Sequence, residues 1–188
     1  LGLSEGDVLW TSPNSYVASA NVGLLCNAEV DFVDIDSETY NMCSTALSMK
    51  LRDAEKNGKL PKIVMPVHFA GQSCDMINIK KLSEKYGFKI IEDASHAIGG
   101  IYKNTKIGSC KFSDITVFSF HPVKIITTAE GGCAITNDEN IFEKLKLLSS
   151  HGVTRNPKNM VKKTLDKWVY DQISIGFNYR MSDMNAAL

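Results

Sequence analysis

The sequence predicts a layered α/β domain built on a mixed, mostly parallel sheet between helices, and three observations point there. Short apolar runs rich in Val, Ile and Phe alternate along the chain with stretches of helical period. Residues able to do chemistry collect where those runs end, which is where open α/β sheets gather ligands. The chain has 188 residues, 44% of them hydrophobic, enough to bury one core.

The elements follow in order. Val8 to Thr11 is a short strand, followed by a helix from Ser15 to Asn27. Val30 to Ile35 is the next strand. A helix over Thr45 to Lys56 carries Leu47, Leu51 and Ala54 at helical spacing. Lys62 to Val67, preceded by Pro61, is a buried strand. Asp75 to Tyr86 is a helix with Ile79, Leu82 and Tyr86 on one face and Lys80, Lys81, Glu84 and Lys85 in solvent. Phe88 to Ile91 is a strand that delivers Glu92 and Asp93 at its carboxyl end. Ile115 to Phe120 and Cys133 to Thr136 are two more strands, and Asn137-Asp138 marks the start of a helix over Asn140 to Ser150. The polar, Lys- and Arg-rich stretch from Gly152 to Tyr170 has no clean period and is expected to be an excursion or flexible loop.

Composition excludes several function classes. Lys plus Arg and Asp plus Glu balance at 21 each, so no basic field exists to hold nucleic acid or an anionic membrane. A phosphate ligand would have to be bound locally. No apolar run approaches the roughly 20 residues a membrane span needs. The five cysteines are scattered without CxxC or metal-ligand spacing, which points to free thiols, no metal and a cytoplasmic location. There is no charged-then-apolar leader of secretory type. Leu1 is not an initiator Met, and LGLSEGD and SDMNAAL read as cut ends, so a longer parent chain is expected.

Three segments carry the chemistry. In IIEDASHAIGG a strand delivers two acids and then His96. A carboxylate there can pair with a cationic ligand, such as a protonated pyridine nitrogen. Taken alone, Asp93 reads more readily as the cap of a helix beginning near Ala94. In VFSFHPVKIITTAEGG a strand turns at His121-Pro122 to present Lys124 between Val123 and Ile125-Ile126. Desolvation by such apolar neighbours would make it a usable amine nucleophile; the plain alternative is a loop lysine in water. GFNYRMSDMNAAL is an aromatic, polar turn leading into a helix and says little by itself.

Together, in order and spacing, these segments resemble the DegT/DnrJ/EryC1/StrS family of sugar aminotransferases. The likeness runs from GDVLWTSPNSYVASAN and AEVDFVDID through VHFAGQSCDM and EDASHAIGG to NYRMSDMNAAL. VHFAGQSCDM and SFHPVKIITTAEGG look most similar to members that aminate UDP-linked 4-keto-6-deoxy-HexNAc sugars. The resemblance implies the large domain of a fold-type I transferase across residues 1–188, with pyridoxal 5'-phosphate as cofactor. It implies a nucleotide-sugar acceptor, glutamate as amino donor, and a homodimer with shared active sites.

The resemblance also implies roles for single residues. Lys124 matches the lysine that carries the cofactor covalently and moves protons during transfer. Asp93 matches the partner of the pyridine nitrogen, and His96 lies where a Gln or His sits near the 3-hydroxyl. Ser119 matches a phosphate-binding hydroxyl, and Tyr16 in TSPNSYVAS matches an aromatic ring over the cofactor face. Asn178 matches a residue that reaches the phosphate in the neighbouring subunit's site. His121 and Arg180 are expected to contact substrate, Arg180 alternatively the subunit interface. Each has a plainer reading as well: a backbone-satisfied histidine, a strand-end serine, a core aromatic, a helix-start cap for Asn178 and Arg180.

Two family features are not in this sequence: the upstream phosphate loop and the small C-terminal domain that closes the substrate cleft. The chain alone is therefore expected to be inactive. Dehydrating relatives carry His in place of the lysine, and a non-catalytic relative that only binds pyridoxal phosphate or nucleotide sugar would be expected to lose Lys124 or Asp93; here both are present. A generic dinucleotide binder is a poor match, because no G-x-G-x-x-G follows an early strand.

Overall fold

The computed structural model describes residues 1–161, 166 and 168–188. The chain forms two compact units, residues 1–137 and 138–188.

In the first unit, six strands form one sheet: β1 (Val8–Thr11), β2 (Glu29–Phe32), β3 (Ile63–Met65), β4 (Lys89–Asp93), β7 (Ile115–Ser119) and β8 (Gly132–Ile135). Their order across the sheet is β2-β1-β3-β4-β7-β8. All neighbours run parallel except β7 and β8. Between β4 and β7, β5 (Ile101–Tyr102) and β6 (Thr105–Lys106) form a separate hairpin.

Side chains alternate across a strand, so the sheet has two apolar faces. On one face Trp10, Val64 and Ile90 pack with Leu47 and Leu51 of α2 (Ser44–Lys56) and with Met76 and Ile79 of α3 (Met76–Tyr86). Each large side chain buried there contributes about 1.5–3 kcal/mol. On the opposite face Leu9, Ile63 and Met65 form a second cluster with Val30 and Ile91. Helix α1 (Ala18–Leu25) lies on that side. Its Gly23 is needed for the close approach: a Cβ there would meet Val30 Cγ2 at 2.6 Å and Leu9 Cβ at 3.5 Å. The expected helices on both faces are present.

Several boundaries differ from expectation for local reasons. The first helix starts at Ala18, not Ser15, because residues 12–17 turn across the end of β1. It stops at Leu25, and Asn27 reverses the chain at φ 57°. The third strand stops at Met65, since Pro66 has no N–H for the ladder. The fourth continues through Glu92 and Asp93, which pair with Thr116 and Val117. The β5–β6 hairpin had no clear signal: its turn residues, Lys103 and Asn104, both take positive φ without an Asn-Gly pair.

The second unit holds α4 (Glu139–Ser149), a two-stranded ribbon of β9 (Val153–Thr154) and β10 (Asp171–Gln172), and α5 (Asp183–Ala186). Asp138 caps α4 by accepting from the N–H groups of Asn140 and Ile141 at 2.8 and 3.0 Å. The 152–170 stretch, expected to be a loop, opens with β9; its residues 162–165 and 167 lie outside the described residues.

Candidate active site

The carboxyl ends of β1, β3, β4 and β7, all parallel, surround one cavity of about 540 Å³. That volume is within the usual range for a small-molecule site. The turn after β1 contributes Asn14, Ser15 and Tyr16, and the segment after β3 contributes Val67 and Phe69. Asp93, Ser95 and His96 follow from β4, and Ser119, His121 and Lys124 from β7 and its loop. Outgoing connections from β1 and β3 lead to opposite sides of the sheet, the topological switch at which open α/β folds bind ligands.

The cavity therefore brings together six of the eight residues singled out in the sequence: Tyr16, Asp93, His96, Ser119, His121 and Lys124. Lys124 Nζ lies 2.9 Å from His96 Nε2. An ammonium can only donate, so with Lys124 charged the imidazole is neutral with its lone pair on Nε2. The lysine loop is held at its neck by Phe120, whose N–H donates to Gly131 O at 2.8 Å and whose carbonyl accepts from Thr127 Oγ1 at 2.9 Å. Lys124 N–H donates to His121 O at 2.9 Å, which forms the tight turn at Pro122-Val123.

Asp93 is half-buried. Its Oδ2 accepts from Ser19 Oγ at 2.7 Å and its Oδ1 from the Ser95 N–H at 3.1 Å. Each oxygen can take a further hydrogen bond. The capping reading fails here: residues 94–100 form turns, not a helix, and Asp93 only braces the first of them. The expected apolar enclosure of Lys124 also fails. Val123, Ile125 and Ile126 are 76%, 65% and 51% exposed, because the loop turns their side chains outward.

Beneath the cavity lies a polar cluster not anticipated from the sequence. His68 and Glu92 are both buried, with His68 Nε2 2.8 Å from Glu92 Oε2. The Cys74 N–H donates to His68 Nδ1 at 3.1 Å. That fixes a neutral imidazole with its proton on Nε2, so the contact with Glu92 is a hydrogen bond, not an ion pair. Burial by itself would raise the Glu92 carboxyl; hydrogen bonds from His68, Ser113 and Thr116 outweigh it and hold the group below the ordinary carboxylate range. Burial pushes the neighbouring Cys74 thiol up to about 12, so it is inert as a nucleophile. The backbone of His68 donates to Asp93 O at 3.0 Å, which ties the cluster to the strand end.

Asn178 and Arg180 belong to the second unit. Asn178 bridges Ser150, and Arg180 Nε donates to Asn178 Oδ1 at 2.8 Å. Neither caps a helix, since Ser182 performs that role for α5. The sequence marks Glu92 as a strand-end acid but assigns it no role, and it does not single out Ser19 or His68; the one signal for Ser19 is the run of serines around Tyr16.

The residues of the cavity suit pyridoxal phosphate: a carboxylate with acceptor capacity for a protonated ring nitrogen, a primary amine for an aldehyde, and a strand-end hydroxyl for phosphate. Among the described residues, no group of three or more His, Cys, Asp or Glu could hold a metal ion, and no helix is long and apolar enough to cross a membrane.

Comparison with known proteins agrees with this chemistry. The model of the DegT/DnrJ/EryC1/StrS aminotransferase family matches residues 1–188. The chain is 42% identical to UDP-4-amino-4,6-dideoxy-N-acetyl-beta-L-altrosamine transaminase of Campylobacter jejuni serotype O:2, over all of this chain and 46% of that protein. It is similar to the structure of Helicobacter pylori PseC, an aminotransferase involved in the biosynthesis of pseudoaminic acid. There the TM-score is 0.83 at 33% identity, covering 97% of this chain and 44% of that one. A putative sugar aminotransferase of Streptococcus pneumoniae, Spr1654, in its PLP form, matches with a TM-score of 0.80 at 28% identity, over 99% and 48% of the two chains. The chain spans about half the length of the curated relatives it matches.

Proposed function

Because the chain belongs to the DegT/DnrJ/EryC1/StrS aminotransferase family, we propose that its parent protein is a pyridoxal-phosphate-dependent transaminase. It would move an amino group, from glutamate, to a nucleotide-linked 4-keto-6-deoxy sugar. Residues 1–188 form most of its cofactor-binding large domain. The observation that carries this reading is the meeting of Asp93 and Lys124 in one cavity at parallel strand ends, with Lys124 Nζ within hydrogen-bond reach of His96.

Bound pyridoxal phosphate supplies an electron sink next to the amino carbon. The protein does the rest. Asp93 holds the ring nitrogen protonated, Tyr16 covers one face of the ring, and Ser119 binds phosphate. Lys124 Nζ would hold the cofactor, and the same amine would take up and give back the proton moved during transfer. His96 orients the Lys124 amine and would stand near the 3-hydroxyl of the bound cofactor. His121 and Arg180 contact substrate. Asn178 reaches the phosphate of the partner subunit's site in a homodimer, and the enzyme works in the cytoplasm. The relatives' names support the acceptor class: the C. jejuni protein is named for a UDP-linked amino sugar.

The test is an absorbance scan of the natural full-length protein with pyridoxal phosphate, glutamate and a UDP-linked 4-keto-6-deoxy-HexNAc, followed by borohydride reduction and peptide mapping. A visible band that responds to glutamate and is reset by the sugar, with the label on Lys124, supports the proposal. A label on any other lysine, or a band indifferent to both substrates, refutes it.

A further inference from the structure

We propose that Ser19 is a positioning residue that aims and polarises the Asp93 carboxylate, keeping the proton of the shared hydrogen bond on the cofactor's ring nitrogen. The inference rests on the reading of Asp93 as that nitrogen's partner.

Ser19 is buried in the first turn of α1, on the sheet face that Asp93 shares with Leu9 and Ile91. A helical serine usually returns its hydroxyl proton to the carbonyl one turn back. Here Ser19 Oγ donates instead to Asp93 Oδ2, 74 residues away, at 2.7 Å. That is a charge-assisted bond, of the stronger kind. Ser19 has one hydroxyl proton and gives it to Asp93, so its contact with Ser15 Oγ at 3.4 Å can only run from Ser15 to Ser19. Ser15, Ser19 and Asp93 thus form a directed chain, each bond polarising the next.

The second anchor is the Ser95 N–H on Oδ1, so the two oxygens are held from two different elements. A carboxylate fixed at both oxygens cannot rotate, so it stays aimed at the ring nitrogen it would pair with. A carboxylate held in that direction favours the ring nitrogen as the proton's site. Removing the Ser19 hydroxyl frees one oxygen, so the carboxylate can swing away and the ring nitrogen loses the partner that keeps it protonated. The turn that leads into α1 carries Tyr16 into the cavity, so adjoining segments of chain would serve both the edge and the face of the ring.

The experiment uses the natural full-length protein loaded with pyridoxal phosphate labelled with nitrogen-15 in the ring. In Ser19→Ala the ring resonance should move toward the unprotonated position, and its titration midpoint should fall by about one pH unit. Cofactor affinity should drop about tenfold. Ser19→Cys keeps the volume but donates only weakly, and should behave like Ser19→Ala; Ser19→Thr should restore the resonance. In an Asp93→Asn background, Ser19→Ala should add nothing. Loss of the ring proton in Asp93→Asn with an unchanged resonance in Ser19→Ala would overturn the Ser19 inference alone. An unchanged resonance in Asp93→Asn would remove the reading of Asp93 beneath it. A wild-type resonance in Ser19→Cys would show that the serine only fills space, and would also overturn the proposal.

Discussion

Glu92 and Asp93 are adjacent in β4, yet the strand sends them into opposite environments. Glu92 points to the α2 and α3 face, where His68, Ser113 and Thr116 saturate it and water is excluded. Asp93 points to the α1 face at the rim of the cavity, with one protein hydrogen bond on each oxygen and room for more. Charge and position in sequence are almost the same; only the side of the pleat differs. A saturated buried acid holds structure together, whereas an under-saturated acid on a cavity wall is available to a ligand.

The comparison can be broken or sharpened by substitution in the full-length protein. The largest effect belongs to the cavity side: Lys124→Ala should abolish the visible cofactor band and turnover, with the melting temperature of the apo protein unchanged. A residual band of wild-type shape would place the covalent link elsewhere. Next, Asp93→Asn should raise the reaction barrier by about 3 kcal/mol or more, because a neutral amide cannot keep the ring nitrogen protonated. Single-turnover rates against thermal melts measure the split, and near-normal rates with cofactor bound would return Asp93 to a turn-bracing role.

Glu92→Gln should show the opposite pattern: a stability loss of about 1–3 kcal/mol in urea titration, with the cofactor spectrum intact. The pH dependence follows from the lowered Glu92 carboxyl. Its folded pKa lies below the unfolded value of about 4.3, so its contribution is fully present above that value and is lost as pH falls through the lower, folded pKa. Acid unfolding curves should therefore be shallower in Glu92→Gln than in the parent; identical curves would show that the buried acid does not titrate with folding. The smallest effect is expected for Tyr16→Ala. The residue is 79% exposed, and loss of stacking should weaken cofactor binding by about 1 kcal/mol, read by equilibrium dialysis.

Much of this is legible in the sequence. Helical spacing marked Leu47, Leu51 and Ala54, and all three are buried on α2. The Lys124 and Asp93 segments were recognisable as strand ends, because a short apolar run followed by polar residues marks an end whatever it pairs with. The exposed Val123, Ile125 and Ile126 show the limit of that kind of reading. Apolar residues beside a lysine in sequence say nothing about which way a loop turns them.

By itself, then, the sequence determined the kind of elements, their order and the segments that carry chemistry, since period and turn residues are local properties of the chain. Only the tertiary structure decided the partners. Ser19 meets Asp93 because α1 packs on the Leu9 and Val30 face, close enough to require Gly23. His68 meets Glu92 because β3 and β4 run side by side, and Thr116 joins them through the β4–β7 register. These contacts span 24 to 74 residues of chain. Which distant residues come together is set by strand order and register, and a sequence pattern that repeats every two or every 3.6 residues carries neither.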